Sequence, residues 1–116
     1  MQYALMFWAD PEVAEGLSEE ERAAITKEFE VLLYDDPRLV ASMRLEAAET
    51  ATTVRVVGGK TLMTDGPFAD TKEVMGGLAV FEADNLDEVL EIAERVPVAR
   101  LGGGVEVRPV MQVMQR

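Results

Sequence analysis

Asp65, Asp70, Lys72 and Glu73 stand in one short polar connection with Phe68 and the turn formers Gly66 and Pro67, closed by the glycine pair Gly76-Gly77. Carboxylates and an ammonium group this close together can hold a substrate, move a proton or simply fold a loop. Asp-Gly-Pro is a turn signal in itself: glycine accepts positive φ, proline fixes its own φ, and the Asp65 side chain can hydrogen-bond the backbone just ahead. What exceeds a turn is the aromatic ring among four charges, and a glycine pair that lets backbone or ligand approach closely. A second polar set, Arg44, Arg55, Glu82, Glu106 and Arg108, is scattered through segments rich in valine, leucine and methionine. Two readings of it stay open. The charges form inter-strand or inter-subunit salt bridges or point into water. Alternatively, some face a cavity: Arg55 and Arg108 receive an anionic small molecule, Phe68, Lys72 and Glu73 line its cleft, and Asp65 or Glu106 handles a proton. Asp65 is the catalytic candidate, although turn chemistry alone already accounts for it.

Strands and helices must position these groups. Gln2 to Trp8 reads as a strand with Tyr3, Leu5 and Phe7 on one face and Ala4, Met6 and Trp8 on the other. Both faces are apolar, so a sheet covered by helices on one side needs a further layer on the other, from a second subunit or from a loop or tail of the same chain. Ser18-Glu19-Glu20-Glu21 is a capping box, and Ile25, Phe29, Leu32 and Leu33 continue it as one apolar stripe until Asp35-Asp36-Pro37 ends the helix. Leu39 to Leu45 predicts a second strand. Thr53 to Val57 and Lys60 to Thr64, split by Gly58-Gly59, predict a two-residue hairpin. Gly77 to Glu82 is a further strand. Asn85 then caps a helix whose stripe is Leu86, Val89, Leu90, Ala93 and Val96, stopping at Pro97. After Gly102-Gly103-Gly104, Val105 to Val113 is expected to form the last strand, with Pro109 marking an edge or a bulge. Without the hairpin this order is βαββαβ, the split βαβ arrangement of ferredoxin-like α+β folds.

Composition bounds the chemistry. The 116 residues, 1–116, fit a single domain able to fold without metal or disulfide staples. There is no cysteine, which removes disulfides, thiol nucleophiles and cysteine-ligated metals, and no histidine, which removes the side chain best suited to proton transfer near neutral pH. Asp and Glu number 22 against 11 Lys and Arg, a formal net charge of -11, so direct nucleic-acid binding is disfavoured. No stretch approaches the roughly 18 apolar residues of a membrane span, and the amino terminus lacks a basic, signal-like start, so a soluble cytoplasmic protein is expected. The glycine triplet lacks the Lys-Ser/Thr of a phosphate-binding loop and precedes a strand, and no EF-hand spacing occurs. No metal, nucleotide or other cofactor is expected.

Met63 to Gly77, with Glu49-Thr50-Ala51-Thr52-Thr53-Val54-Arg55 before it and Val105-Glu106-Val107-Arg108-Pro109-Val110 after it, resembles the YCII-related family in the branch named for its DGPF motif. The resemblance implies a ferredoxin-like α+β fold that pairs into a dimeric α+β barrel, hence a homodimer, and the hairpin read above is an insertion in that fold. It also implies, for some relatives, a catalytic His-Asp pair, which a chain without histidine cannot hold. The expected function is binding of a small, anionic organic molecule in a cleft under the Asp65 loop, with acid/base turnover as an extension. The alternative is a non-catalytic regulatory or protein-interaction module, since relatives in this branch are associated by name with transcription. A pocket of several hundred cubic ångströms with convergent polar groups favours the first, and a filled centre with an exposed apolar patch the second.

Overall fold

The computed structural model describes all residues from Met1 to Arg116. In chain order they form β1 (Gln2–Ala9), α1 (Pro11–Glu15), α2 (Glu19–Tyr34), β2 (Leu39–Arg44), β3 (Thr52–Val57), β4 (Lys60–Asp65), β5 (Val74–Glu82), α3 (Leu86–Ala93) and β6 (Gly104–Pro109). The four long-range strands are antiparallel in the order β2-β5-β1-β6, while β3 and β4 make a separate two-stranded sheet. This is the ferredoxin-like α+β arrangement, with the hairpin inserted between β2 and β5. No helix is long and apolar enough to cross a membrane.

Local chemistry accounts for the helix starts. Ser18 Oγ accepts from Glu21 N at 3.1 Å while a Glu21 carboxylate oxygen accepts from Ser18 N at 3.1 Å, and the Ser18 backbone N–H, then its hydroxyl, hold the Glu21 carboxyl below the usual range. Asn85 caps α3 by accepting from Glu88 N. Just past α2, Asp36 takes the Arg38 guanidinium at 2.8 and 3.0 Å and the Arg38 backbone N–H at 2.9 Å, which lowers its acidity range and raises that of Arg38. α2 and α3 pack on one face of the sheet, where Tyr3, Leu5 and Phe7 of β1 meet Ala79 and Phe81 of β5 and Leu33, Val89 and Ile92 of the helices. Phe7 and Phe29 meet edge to face, with centroids 5.2 Å apart.

The opposite face is largely bare. Ala4, Met6, Leu78 and Val80 are half-exposed there, paired across β1 and β5, and Met43 of β2 is exposed beside Leu78. Met111 and Met114, in the tail past β6, are almost fully exposed, so the tail does not close this face. The hairpin stands apart as an arm. Gly58 and Gly59 turn it with φ of 57° and 78°, as a type I′ turn requires, and Val54, Val56, Leu62 and Met63 are exposed along it.

Two expectations are corrected, and one element is added. The last strand ends at Pro109 and does not reach Val113: Val110 N donates to Gln2 O, the first residue of β1, and beyond it β1 has no partner to offer. The α3 stripe buries Val89, Ile92, Ala93 and Val96, whereas Leu86 and Leu90 are exposed, a rotation of the expected helix phase. The added element is α1, whose signal is Asp10-Pro11: Asp10 Oδ1 accepts from Glu12 N at 3.0 Å, and proline sits at the first helical position.

Candidate functional site

β1 and β5 pair regularly as far as Phe7 and Gly77; Trp8 then lies opposite Met75, leaving Gly76 as the extra residue of a β-bulge. Across β1, a side chain on Gly103 would collide with the Trp8 carbonyl, so only glycine lets this backbone come so close. Bulge and glycine together set the direction of Trp8, the one tryptophan of the chain.

The loop after β4 lines a common space with that ring. Its base is fixed by backbone and hydroxyl groups: Gly66 N donates to Ala51 O at 2.7 Å and Thr53 Oγ1 donates to Gly66 O at 2.8 Å. Further along, Thr71 Oγ1 donates to Glu73 O at 2.5 Å. Pro67, Phe68, Ala69 and Thr71 from this loop, with Trp8 and Met75 among the residues opposite, wall a cavity of about 470 Å³. The wall is overwhelmingly apolar, and Glu46 is its one charged member. A shallower depression of about 410 Å³ shares Trp8 and Thr71 and is bordered by Glu73, Glu106, Gly103 and Gly104. Larger openings of about 520 and 760 Å³ lie along α2, but they are grooves between that helix and its neighbours, and Arg44 in the first already lies 3.9 Å from Glu30.

The predicted residues are distributed around these spaces, not gathered in one. Phe68 lines the apolar cavity while remaining 76% exposed, and the Arg55 guanidinium lies over its ring at 5.7 Å. Glu73 and Glu106 border the depression. Lys72 Nζ lies 3.6 Å from Asp10 Oδ2, tying the loop to a carboxylate that is only 7% exposed. Asp65 ends β4 opposite Thr52; it is exposed, lies outside both spaces, and its carboxylate makes no hydrogen bond or ion pair, contrary to the expected turn bond. Arg108 is held by Glu106 at 2.6 Å, and it pairs with Ala4, four residues and roughly 13 Å along β1 from Trp8. Arg55 and Arg108 thus sit on different sheets and do not converge. Glu82 is engaged by the amino terminus at 2.6 Å. Sequence reasoning missed Asp10 and Trp8: Asp10 has a readable cap signal, but the bulge at Trp8 depends on pairing with a strand far along the chain.

Residues 1–114 match the YCII-related domain. The chain belongs to the YCII-related family. An uncharacterised protein of Rhizobium meliloti (strain 1021) is 32% identical to this YCII-related chain over 114 residues, covering 95% of the chain and 92% of the relative. The solved 5-chloro-2-hydroxyhydroquinone dehydrochlorinase of Burkholderia phenoliruptrix AC1100, in complex with 2,5-dihydroxybenzoquinone, has a TM-score of 0.52 over 97% of this chain and 96% of its own. At 17% identity that likeness establishes the shared fold. In this YCII-related chain the histidine-free set of ionisable groups around the loop consists of carboxylates, Arg55 and Lys72, and the aromatic pair Trp8 and Phe68 supplies the walls.

Proposed function

We propose that this protein binds a small ring-bearing organic molecule between Trp8 and Phe68, beneath the loop that follows Asp65. The observation that carries this reading is the cavity of about 470 Å³, apolar on its walls and flanked by two aromatic side chains. Such a space favours a planar or alicyclic ring through area burial and stacking. Arg55, held over the Phe68 ring that lines the cavity, suits an anionic or electron-rich oxygen on that ligand. The bound dihydroxybenzoquinone of the structural neighbour belongs to the same chemical class and supports the reading. Binding is the core of the proposal; proton handling by Asp65 requires the loop to bring that exposed carboxylate toward the cavity.

The working unit is a homodimer. The accessible surface is 8432 Å², whereas a compact monomer of this size exposes roughly 6,200 Å². The radius of gyration of 16.0 Å likewise exceeds the roughly 13 Å of a compact chain of this length. Stable dimers bury about 800 Å² per partner or more, well within that excess. The bare sheet face is also nearly free of net charge, with Glu106 and Arg108 paired on it, so two molecules of charge -11 can meet there without strong repulsion. The exposed apolar hairpin favours a second reading, a non-catalytic module that grips another protein.

A thermal-shift titration with 2,5-dihydroxybenzoquinone, hydroxylated benzenes and aromatic carboxylates tests the binding reading, since a ligand of the folded state raises its melting temperature. A dose-dependent rise that Phe68→Ala removes and Arg55→Ala weakens is the expected result. No response to any of these compounds, or a response indifferent to both substitutions, rejects the cavity as the site.

A further inference from the structure

We infer that Trp8 is a ligand-contacting residue whose indole N–H donates a hydrogen bond to an acceptor oxygen of the bound ring; this rests on the cavity proposed above. Trp8 Nε1 is shut off from solvent and has no hydrogen-bond partner. Native interiors rarely leave a buried N–H unpaired, because desolvating it without a replacement bond is costly. Nothing in the chain relieves this one. Glu73 and Glu106 border the depression beside the ring, yet neither carboxylate accepts from the indole, and Glu106 is engaged by Arg108.

The placement of the ring is built, not incidental. Trp8 sits at the bulge with Gly76 as the extra residue on one flank and the obligatory glycine at 103 on the other. Bulges of this kind re-aim a side chain beside a site. Both spaces at this end of the sheet share Trp8 as a wall; Nε1 itself is closed to solvent, so an acceptor oxygen entering from either space reaches it once the side chains covering it move aside. An apolar wall with one latent donor discriminates among ring compounds. Pure hydrocarbons leave the N–H unpaired, whereas quinone carbonyls, phenolic oxygens and ring carboxylates satisfy it. The ligand class is therefore an oxygen-bearing aromatic or quinoid ring presenting an acceptor to Trp8.

The single tryptophan gives a single indole N–H resonance in the nitrogen-15-labelled full chain. With 2,5-dihydroxybenzoquinone as the probe, that resonance is expected to move downfield and its solvent exchange to slow on binding. Trp8→Phe keeps a ring and removes the donor, and is expected to weaken binding of the probe about 3- to 10-fold. An indole resonance already downfield and protected without probe overturns the inference, because an acceptor from the chain or from a second copy then satisfies it. So does an unmoved indole resonance with Trp8→Phe binding as tightly as the parent; if Phe68→Ala still abolishes binding, the cavity reading survives alone. No binding to the parent protein by resonance shift or melting temperature rejects both. Should Trp8→Phe fold poorly, the indole resonance of the parent protein decides.

Discussion

The two faces of β1 differ more than its sequence suggests. Tyr3, Leu5 and Phe7 disappear into the helix-covered core, whereas Ala4, Met6 and Trp8, equally apolar in character, stay half-exposed. The first face explains why the chain folds; in the proposed reading the second serves contact, with a partner sheet along Ala4 and Met6 and with a small molecule at Trp8. A hydrophobic face that the monomer leaves uncovered is a statement about association, since water contact with it has a free-energy cost that folding does not remove.

Substitutions that treat the two regions alike should therefore give unlike results. Phe81→Ala, at a fully buried position, is expected to lower stability by about 4 kcal/mol in urea unfolding, while Leu62→Ala on the exposed arm costs about 0.5 kcal/mol or less. Equal losses would mean that the hairpin is packed in solution as tightly as the core. Next in size, Met6→Lys should weaken self-association at least about tenfold and leave the far-ultraviolet circular dichroism intact, because dimerisation would bury an unpaired ammonium group. A sedimentation profile that is monomeric for the parent protein, or unchanged in the variant, removes the sheet-to-sheet dimer.

The helix-covered side also carries a pH dependence. Hydrogen bonds from Arg38 hold the Asp36 pKa below the ordinary value of 3.8, so the folded state binds the proton less readily than the unfolded chain. The associated stability is complete above about pH 4 and is lost as pH falls through the lowered folded-state value. Asp36→Asn should cost on the order of 1 kcal/mol at neutral pH, discounted for the partly exposed Arg38, and the difference from the parent should shrink in acid. A difference that persists unchanged at pH 2 would assign the effect to packing. The smallest effect belongs to Asp65→Asn, within about 0.5 kcal/mol, with ligand response retained, because the carboxylate has no bond to lose. Intact stability with abolished binding or turnover would give Asp65 the chemical role.

Local signals were legible where the physics is local. The Ser18 and Asn85 caps, the Gly58-Gly59 turn and the alternation of β1 predict elements that the structure contains, and the βαββαβ order follows from them. The errors fall where distant partners decide. β6 stops at Pro109 because β1 begins at Gln2; Arg55 and Arg108 are separated because β3 and β6 belong to different sheets. For the site, Phe68 and the loop could be read from turn chemistry, and Glu73 and Glu106 fall beside it. Trp8 could not be read, since its direction is set by a bulge against residues some seventy positions away. Asp10 is the exception: Asp-Pro after a strand is a cap signal visible in the sequence, and its contact with Lys72 is the nonlocal part.

Amide chemical-shift mapping during titration of the parent protein with 2,5-dihydroxybenzoquinone tests the central claim most directly. Perturbations should cluster at Trp8, at Leu45 to Ala48, at Phe68, Ala69 and Thr71 and at Val74 and Met75, residues that line the aromatic cavity. A cluster along Phe29 to Asp35 and Leu39 to Arg44 instead, in the groove between α2 and β2, would contradict the account.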